Sequence, residues 1–135
     1  MTLPSTIGDK YAVLNDEPRL GGMSLVYKCV DLSSAETFAL KVIETPRDVD
    51  DLEETIFERE LNVKELSSHP NIIDLHQYGR IEETGQFYLV FDWHDNDLEK
   101  WVTHRREQDG FVGPDDFVQE IAIPLLRGLV FAHTH

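Results

Sequence analysis

Lys41 stands alone among apolar neighbours in Phe38-Ala-Leu-Lys-Val-Ile43. An unpaired ammonium is costly to bury, so Lys41 faces either solvent or a polar site. Upstream, Gly21 and Gly22 sit in Leu20-Gly-Gly-Met-Ser-Leu-Val-Tyr27. Without side chains, such a turn lets backbone N–H groups approach an anion such as phosphate, although an ordinary hairpin turn reads equally well. Downstream lie Glu60, in an acidic helical stretch, and the segment Phe87-Tyr-Leu-Val-Phe-Asp-Trp-His-Asp-Asn-Asp-Leu98, which passes from an apolar strand to an acid-rich helix start. His133-x-His135 offers two imidazoles, but residues two apart on a helix do not share a face. No Cys/His cluster supports them, so no metal site is expected. Gly-x-Ser-x-Gly does not occur, and hydrolase chemistry is left without its nucleophile motif.

The elements that must position these residues follow from periodicity. Tyr11–Leu14 and Leu25–Val30 read as strands around the Gly21-Gly22 turn, and Thr37–Ile43 as a third, rich in residues that suit a half-buried pleat. From about Asp48 to Ser67 the pattern turns helical: Leu52, Ile56, Val63 and Leu66 fall within about 80° of one another at 100° per residue. Asp48, Asp50 and Asp51 suit the positive end of that helix. On the same wheel Glu60 adjoins Ile56 and points to the body, whereas Glu58 points to solvent. Glu53, Glu54 and Glu65 read as a solvated acidic face. His69-Pro70-Asn71 ends the helix. Ile72–Gly79 and Phe87–Phe91 are two more strands, Asp97–Arg106 a short helix, and Gly113-Pro114-Asp115-Asp116 starts a last helix carrying Phe117, Ile121, Leu125 and Leu129. Pro124 inside it predicts a kink or a break.

Twenty-six acidic residues against twelve basic ones give a net charge of −14. Such a surface repels phosphate backbones and anionic lipid, so neither nucleic acid nor a membrane is an expected partner. The single cysteine, Cys29, excludes an internal disulfide framework and fits a reducing compartment. The first twenty residues lack a basic region followed by an apolar run, and no stretch approaches a spanning length. A soluble, cytoplasmic protein is the expectation.

Taken in order, these segments resemble a protein kinase of the Hanks type. Measured back from Val26, the pattern Gly-x-Gly-x-x-Gly-x-Val places its glycines at 19, 21 and 24, where the chain has Arg19, Gly21 and Ser24. Gly21-Gly22-Met23-Ser24 resembles the Gly-Gly-Met-Ser form common in bacterial Ser/Thr kinases. Ala39-Leu40-Lys41, fifteen residues after Val26, resembles the Val-Ala-Ile-Lys strand, and Arg59-Glu60-Leu61 resembles the Arg-Glu-Ile of the helix that follows it. Tyr88–Leu98 resembles the hinge and its approach strand without a gap, and Leu126–His133 the helix that precedes the catalytic loop.

The resemblance implies an α+β fold: a kinase-like N-lobe with a five-stranded antiparallel sheet and one inserted helix, then two helices of a truncated C-lobe. The boundary falls between 1–94 and 95–135. It also implies a nucleotide site of Arg19, Leu20, Gly21, Gly22, Met23, Ser24, Val26, Ala39, Lys41, Phe91, Asp92, Trp93, His94 and Asp97. In the family the lysine holds the α- and β-phosphates and pairs with a helix glutamate, here Glu60. Phe91 would close the rear of an apolar slot made with Val26, Ala39 and Leu89. The Asp92 carbonyl and the His94 N–H and C=O would bond adenine, and Asp97 the ribose. ATP and Mg²⁺ are the implied cofactors and a protein the implied substrate, with Ser/Thr rather than Tyr as acceptor. His-Arg-Asp and Asp-Phe-Gly do not occur in these 135 residues, so no catalytic or Mg²⁺-binding residue is expected among them. The alternatives are a non-catalytic interaction module or one half of a split kinase. In either case the apolar last helix is expected to lie disordered, to self-associate or to be covered by a protein partner.

Overall fold

A computed structural model describes residues 3–14, 17–44, 52–66 and 68–135, without the side chains of Glu53 and Val63. Among these, the strands are β1 (Thr6–Ile7), β2 (Tyr11–Val13), β3 (Arg19–Leu20), β4 (Ser24–Asp31), β5 (Thr37–Ile43), β6 (Leu75–Arg80) and β7 (Phe87–Asp92). The helices are α1 (Leu52–Leu61), followed by a 3₁₀ turn over Asn62–Leu66, then α2 (Leu98–Asp109), α3 (Pro114–Phe117) and α4 (Ile123–Thr134). The chain divides into two units, residues 1–65 with 73–93 and residues 66–72 with 94–135.

The first unit is one antiparallel sheet in the order β1-β2-β4-β5-β7-β6, with β3 paired to β4. Its spine is the β4–β5 pair, running from Ser24 opposite Ile43 to Val30 opposite Thr37. Five of these strands are those expected from alternation. The two-residue strands β1 and β3 are too short to leave a periodic signal. The sheet buries both faces because β5 and β7 are apolar at nearly every position. Ile7, Tyr11, Cys29, Phe38, Leu40, Val42, Ile81, Tyr88 and Val90 form the core on one face. Ile43, Leu75, Leu89 and Phe91 form the core on the other, where Ile56, Phe57 and Leu61 of α1 pack beside Phe87. The Phe57 and Phe87 rings stack at 4.5 Å between centroids. Alternation along β5 therefore sends Ala39, Lys41 and Ile43 to the face that α1 covers.

Two boundaries differ from expectation. The strand expected at Ile72–Gly79 is β6, starting at Leu75, because the His69 turn runs further: Ile72 N–H donates to the His69 carbonyl at 3.1 Å, and Asn71 N–H to His69 Nδ1 at 3.0 Å. The expected helix start at Asp48–Asp51 and the Val63 side chain lie outside the described residues.

In the second unit, α2 extends to Asp109 rather than Arg106. Gly110 (φ 79°) caps it in the left-handed region, its N–H bonded to the Arg106 carbonyl at 2.8 Å. Arg105 reaches Asp109, Asp116 and Glu120, tying α2 to the start of the last helical run. That run does not break at Pro124. Residues Val118–Ala122 form a π-helical turn immediately before it, a widened register that accommodates a residue without an N–H. The Asn71 amide donates to the Pro124 carbonyl at 2.9 Å. Gly128 lets α4 approach residues 71–72, since a Cβ there would stand 3.3 Å from the Asn71 carbonyl oxygen.

Candidate functional site

The sheet register lines up the predicted residues of the first unit. Val26, Lys41 and Leu89 form one cross-strand row, Lys28, Ala39 and Phe91 the next, and Arg19 stands opposite Val26. Residues directly opposite in a ladder share a face, so all seven belong to the face that carries Lys41. Val26 and Ala39 are half-buried and Phe91 buried. Leu89 is fully buried. This corrects its expected place as an accessible lining residue of the slot: it lies in the core with Ile43, Leu75 and Phe91.

Glu60 projects from α1 toward this row, and its Oε1 lies 2.7 Å from Lys41 Nζ. The helix wheel placed Glu60 on the body-facing side, while Glu58, Glu54 and Glu65 are exposed. The side chains of the pair are 24% and 29% exposed. Partial solvation screens their attraction, so the bond fixes where the ammonium points more than it stabilises the fold. A positively charged group held in one place above an apolar surface is suited to receiving phosphate oxygens.

The glycine turn is tight. Gly21 N–H donates to the Ser24 carbonyl at 2.8 Å, and a Cβ on Gly21 would stand 2.7 Å from Ser24 Oγ. A side chain there would have to turn the Ser24 hydroxyl aside and crowd the Ser24 carbonyl oxygen at 3.2 Å, while Gly22 faces open space. With the Gly21 N–H used to close the turn, a cradle for phosphate would draw on Gly22 and Met23. Leu20 and Met23 are exposed on this turn. The Arg19 guanidinium lies over the Trp93 ring at 4.7 Å, and the Lys28 ammonium over the same ring at 5.1 Å. Both distances are within cation–π range. Lys28 escaped the sequence reading, although its spacing of two from Val26 put it on this face.

Phe91 and Asp92 end β7, and Trp93 follows them in the first unit. His94 and Asp97 belong to the second unit. There Asp97 is the N-cap of α2, its Oδ1 accepting the Lys100 N–H at 2.8 Å. That role fits an aspartate before a helix, and the sequence reading did not assign it. Phe57 and Leu61, which seat α1 against the sheet, lie outside the stripe of Leu52, Ile56, Val63 and Leu66.

The profile of the protein kinase domain matches residues 20–135. Cell division control protein 2 homolog 3 of Trypanosoma brucei brucei is 32% identical over 115 residues, covering 85% of this chain and 35% of the relative. Mitogen-activated protein kinase 15 of Caenorhabditis elegans is 30% identical over 115 residues, covering 84% of this chain and 23% of the relative. The chain thus spans about a third or less of these curated relatives. The sheet with its inserted helix, the helices after it and the profile match agree: this chain belongs to the protein kinase domain family.

Proposed function

We propose that these residues are the ATP-binding portion of a protein Ser/Thr kinase, with 1–94 as N-lobe and hinge and 95–135 as the start of the C-lobe. The Lys41–Glu60 bond at 2.7 Å carries this reading, because it sets a fixed cation beside the half-buried Val26 and Ala39 and the buried Phe91. Bound ATP would supply the phosphoryl group, and Mg²⁺ would neutralise charge on it. The chain's own part is to bind and orient. Val26, Ala39 and Phe91 offer an apolar surface to a flat base, and Lys41, held by Glu60, meets the phosphates. Arg19 and Lys28 add positive charge near Trp93. Main-chain groups of Asp92 and His94 would read the adenine edge, and Asp97 the ribose. A protein substrate belongs to the same reading.

Titration of the 135-residue chain with a fluorescent ATP analogue tests it. Weak binding is expected, with no phosphate transfer, since His-Arg-Asp and Asp-Phe-Gly do not occur in these residues. Ala39→Trp should abolish the binding by filling the slot, and Lys41→Met should weaken it by roughly tenfold, the scale of one charge-assisted contact. Unchanged affinity in Ala39→Trp overturns the assignment.

A further inference from the structure

On the face of the sheet opposite Lys41, three ligand-bearing side chains converge: Asp74, His76 and Asp92, whose ligand atoms all lie within 4.8 Å of one another. Three independent features bring them together. Asp92 N–H donates to the Asp74 carbonyl at 3.4 Å, holding the two backbones side by side. Asp92 stands opposite Phe38, and the Phe38 ring meets the His76 imidazole edge-on at 4.9 Å between centroids. The β6–β7 register shifts at His76, with Leu75 opposite Phe91 but Gln77 opposite Val90. His76 is thus the extra residue of a β-bulge, a feature that re-aims a side chain. Its Nε2 lies 2.5 Å from Asp92 Oδ1.

The geometry points to a binding site for one divalent transition-metal ion, zinc in class, formed by Asp74, His76 and Asp92. The donor set is one imidazole nitrogen and two carboxylates, which suits Zn²⁺ better than Mg²⁺ or Ca²⁺, ions that take oxygen alone. Metal–ligand distances of about 2.0–2.2 Å set neighbouring donors roughly 3.3 Å apart in a tetrahedron. The His76–Asp92 contact would open slightly to admit the ion, while Asp74 closes in by side-chain rotation. Asp74 and Asp92 are half-buried and His76 exposed, which leaves an entry path and a fourth position for water. The site does not depend on nucleotide binding.

Calorimetric titration of the purified chain with Zn²⁺ is the test, with His133→Ala/His135→Ala as background to remove the terminal imidazoles. One Zn²⁺ per chain is expected in that background, and millimolar Mg²⁺ should not displace it. His76→Ala and Asp74→Asn should each weaken binding by roughly tenfold or more, since even outer partners of a metal site cost that much. Binding indifferent to His76→Ala, or lost with His133 and His135, overturns the site. A measurement without changes at the site covers variants that fail to fold: Co²⁺ added to the wild-type chain should broaden the amide NMR signals of residues 74–76 and 91–93. Broadening confined to other residues, or none, also overturns it.

Discussion

Asp31 is one buried side chain that makes the fold sensitive to acid. Its carboxylate accepts the Ser33 hydroxyl at 2.6 Å and the Ser33 N–H at 2.8 Å, with Lys10 Nζ 3.5 Å away. The Ser33 hydroxyl first, then its N–H, hold the Asp31 carboxyl below the usual carboxylate range against the opposing effect of burial, and Lys10 adds to this. A carboxylate depressed in the folded state contributes stability above its unfolded pKa, about 3.9, and loses it as pH falls through the lower folded value. Ser33→Ala should therefore be less stable than wild type at pH 7, with the gap closing below about pH 4. Urea unfolding at a series of pH values checks this, and a gap that persists to pH 2 contradicts it. Lys41→Met behaves differently at this scale. The half-exposed pair with Glu60 is worth about 1 kcal/mol or less, so urea midpoints should barely move. Loss of ligand in that variant then reports on the site and not on unfolding.

Among the elements, α2 is secured at both ends while its flank is polar. Asp97 at the N-cap and Gly110 at the C-cap satisfy backbone groups that an isolated helix leaves open. Asp97→Ala should cost about 1 kcal/mol and Asp97→Asn almost nothing, since asparagine caps as well as aspartate. Thermal unfolding of both variants decides it; equal losses would mean that the charge, not the cap, matters. The same pair separates capping from ribose binding, because only the loss of ligand affinity common to both variants belongs to the carboxylate. The sequence shows a short helix over Asp97–Arg106, and the structure extends it to Asp109, where Gly110 stops it by adopting a left-handed φ.

For the molecule as a whole, the outstanding feature is α4. Leu125, Leu126, Leu129 and Val130 are exposed, at 59%, 58%, 43% and 62%. His69, Ile123, Leu126, Val130 and Phe131 line an open apolar hollow of about 520 Å³. Residues Ile123–Thr134 form a helix. Covering such side chains is worth about 1.5–3 kcal/mol each, and the 135-residue chain should self-associate to obtain it. Sedimentation equilibrium is expected to show concentration-dependent association that Leu126→Glu/Val130→Lys shifts toward monomer. A monomeric wild-type chain at high micromolar concentration would contradict this. Among the described residues, no helix is long and apolar enough to cross a membrane.

The family resemblance implied that Lys41 pairs with Glu60, and the sequence by itself determined the five longer strands, the helix after β5 and the body-facing side of Glu60. These rest on local periodicity, and a period of two or of 3.6 is written in the chain. It also located the turn at Gly21-Gly22 and the disturbance around Pro124. Tertiary structure alone decided what depends on register across strands. Leu89 sinks into the core while Ala39 stays half-open, because burial follows from which strand and helix cover a position, not from hydrophobicity. Arg19 and Lys28 meet over Trp93 only because β3, β4 and the end of β7 lie side by side. Asp74, His76 and Asp92 carry no motif, being split between two strands and joined by a bulge that no alternation pattern announces. Their convergence is a property of the folded sheet.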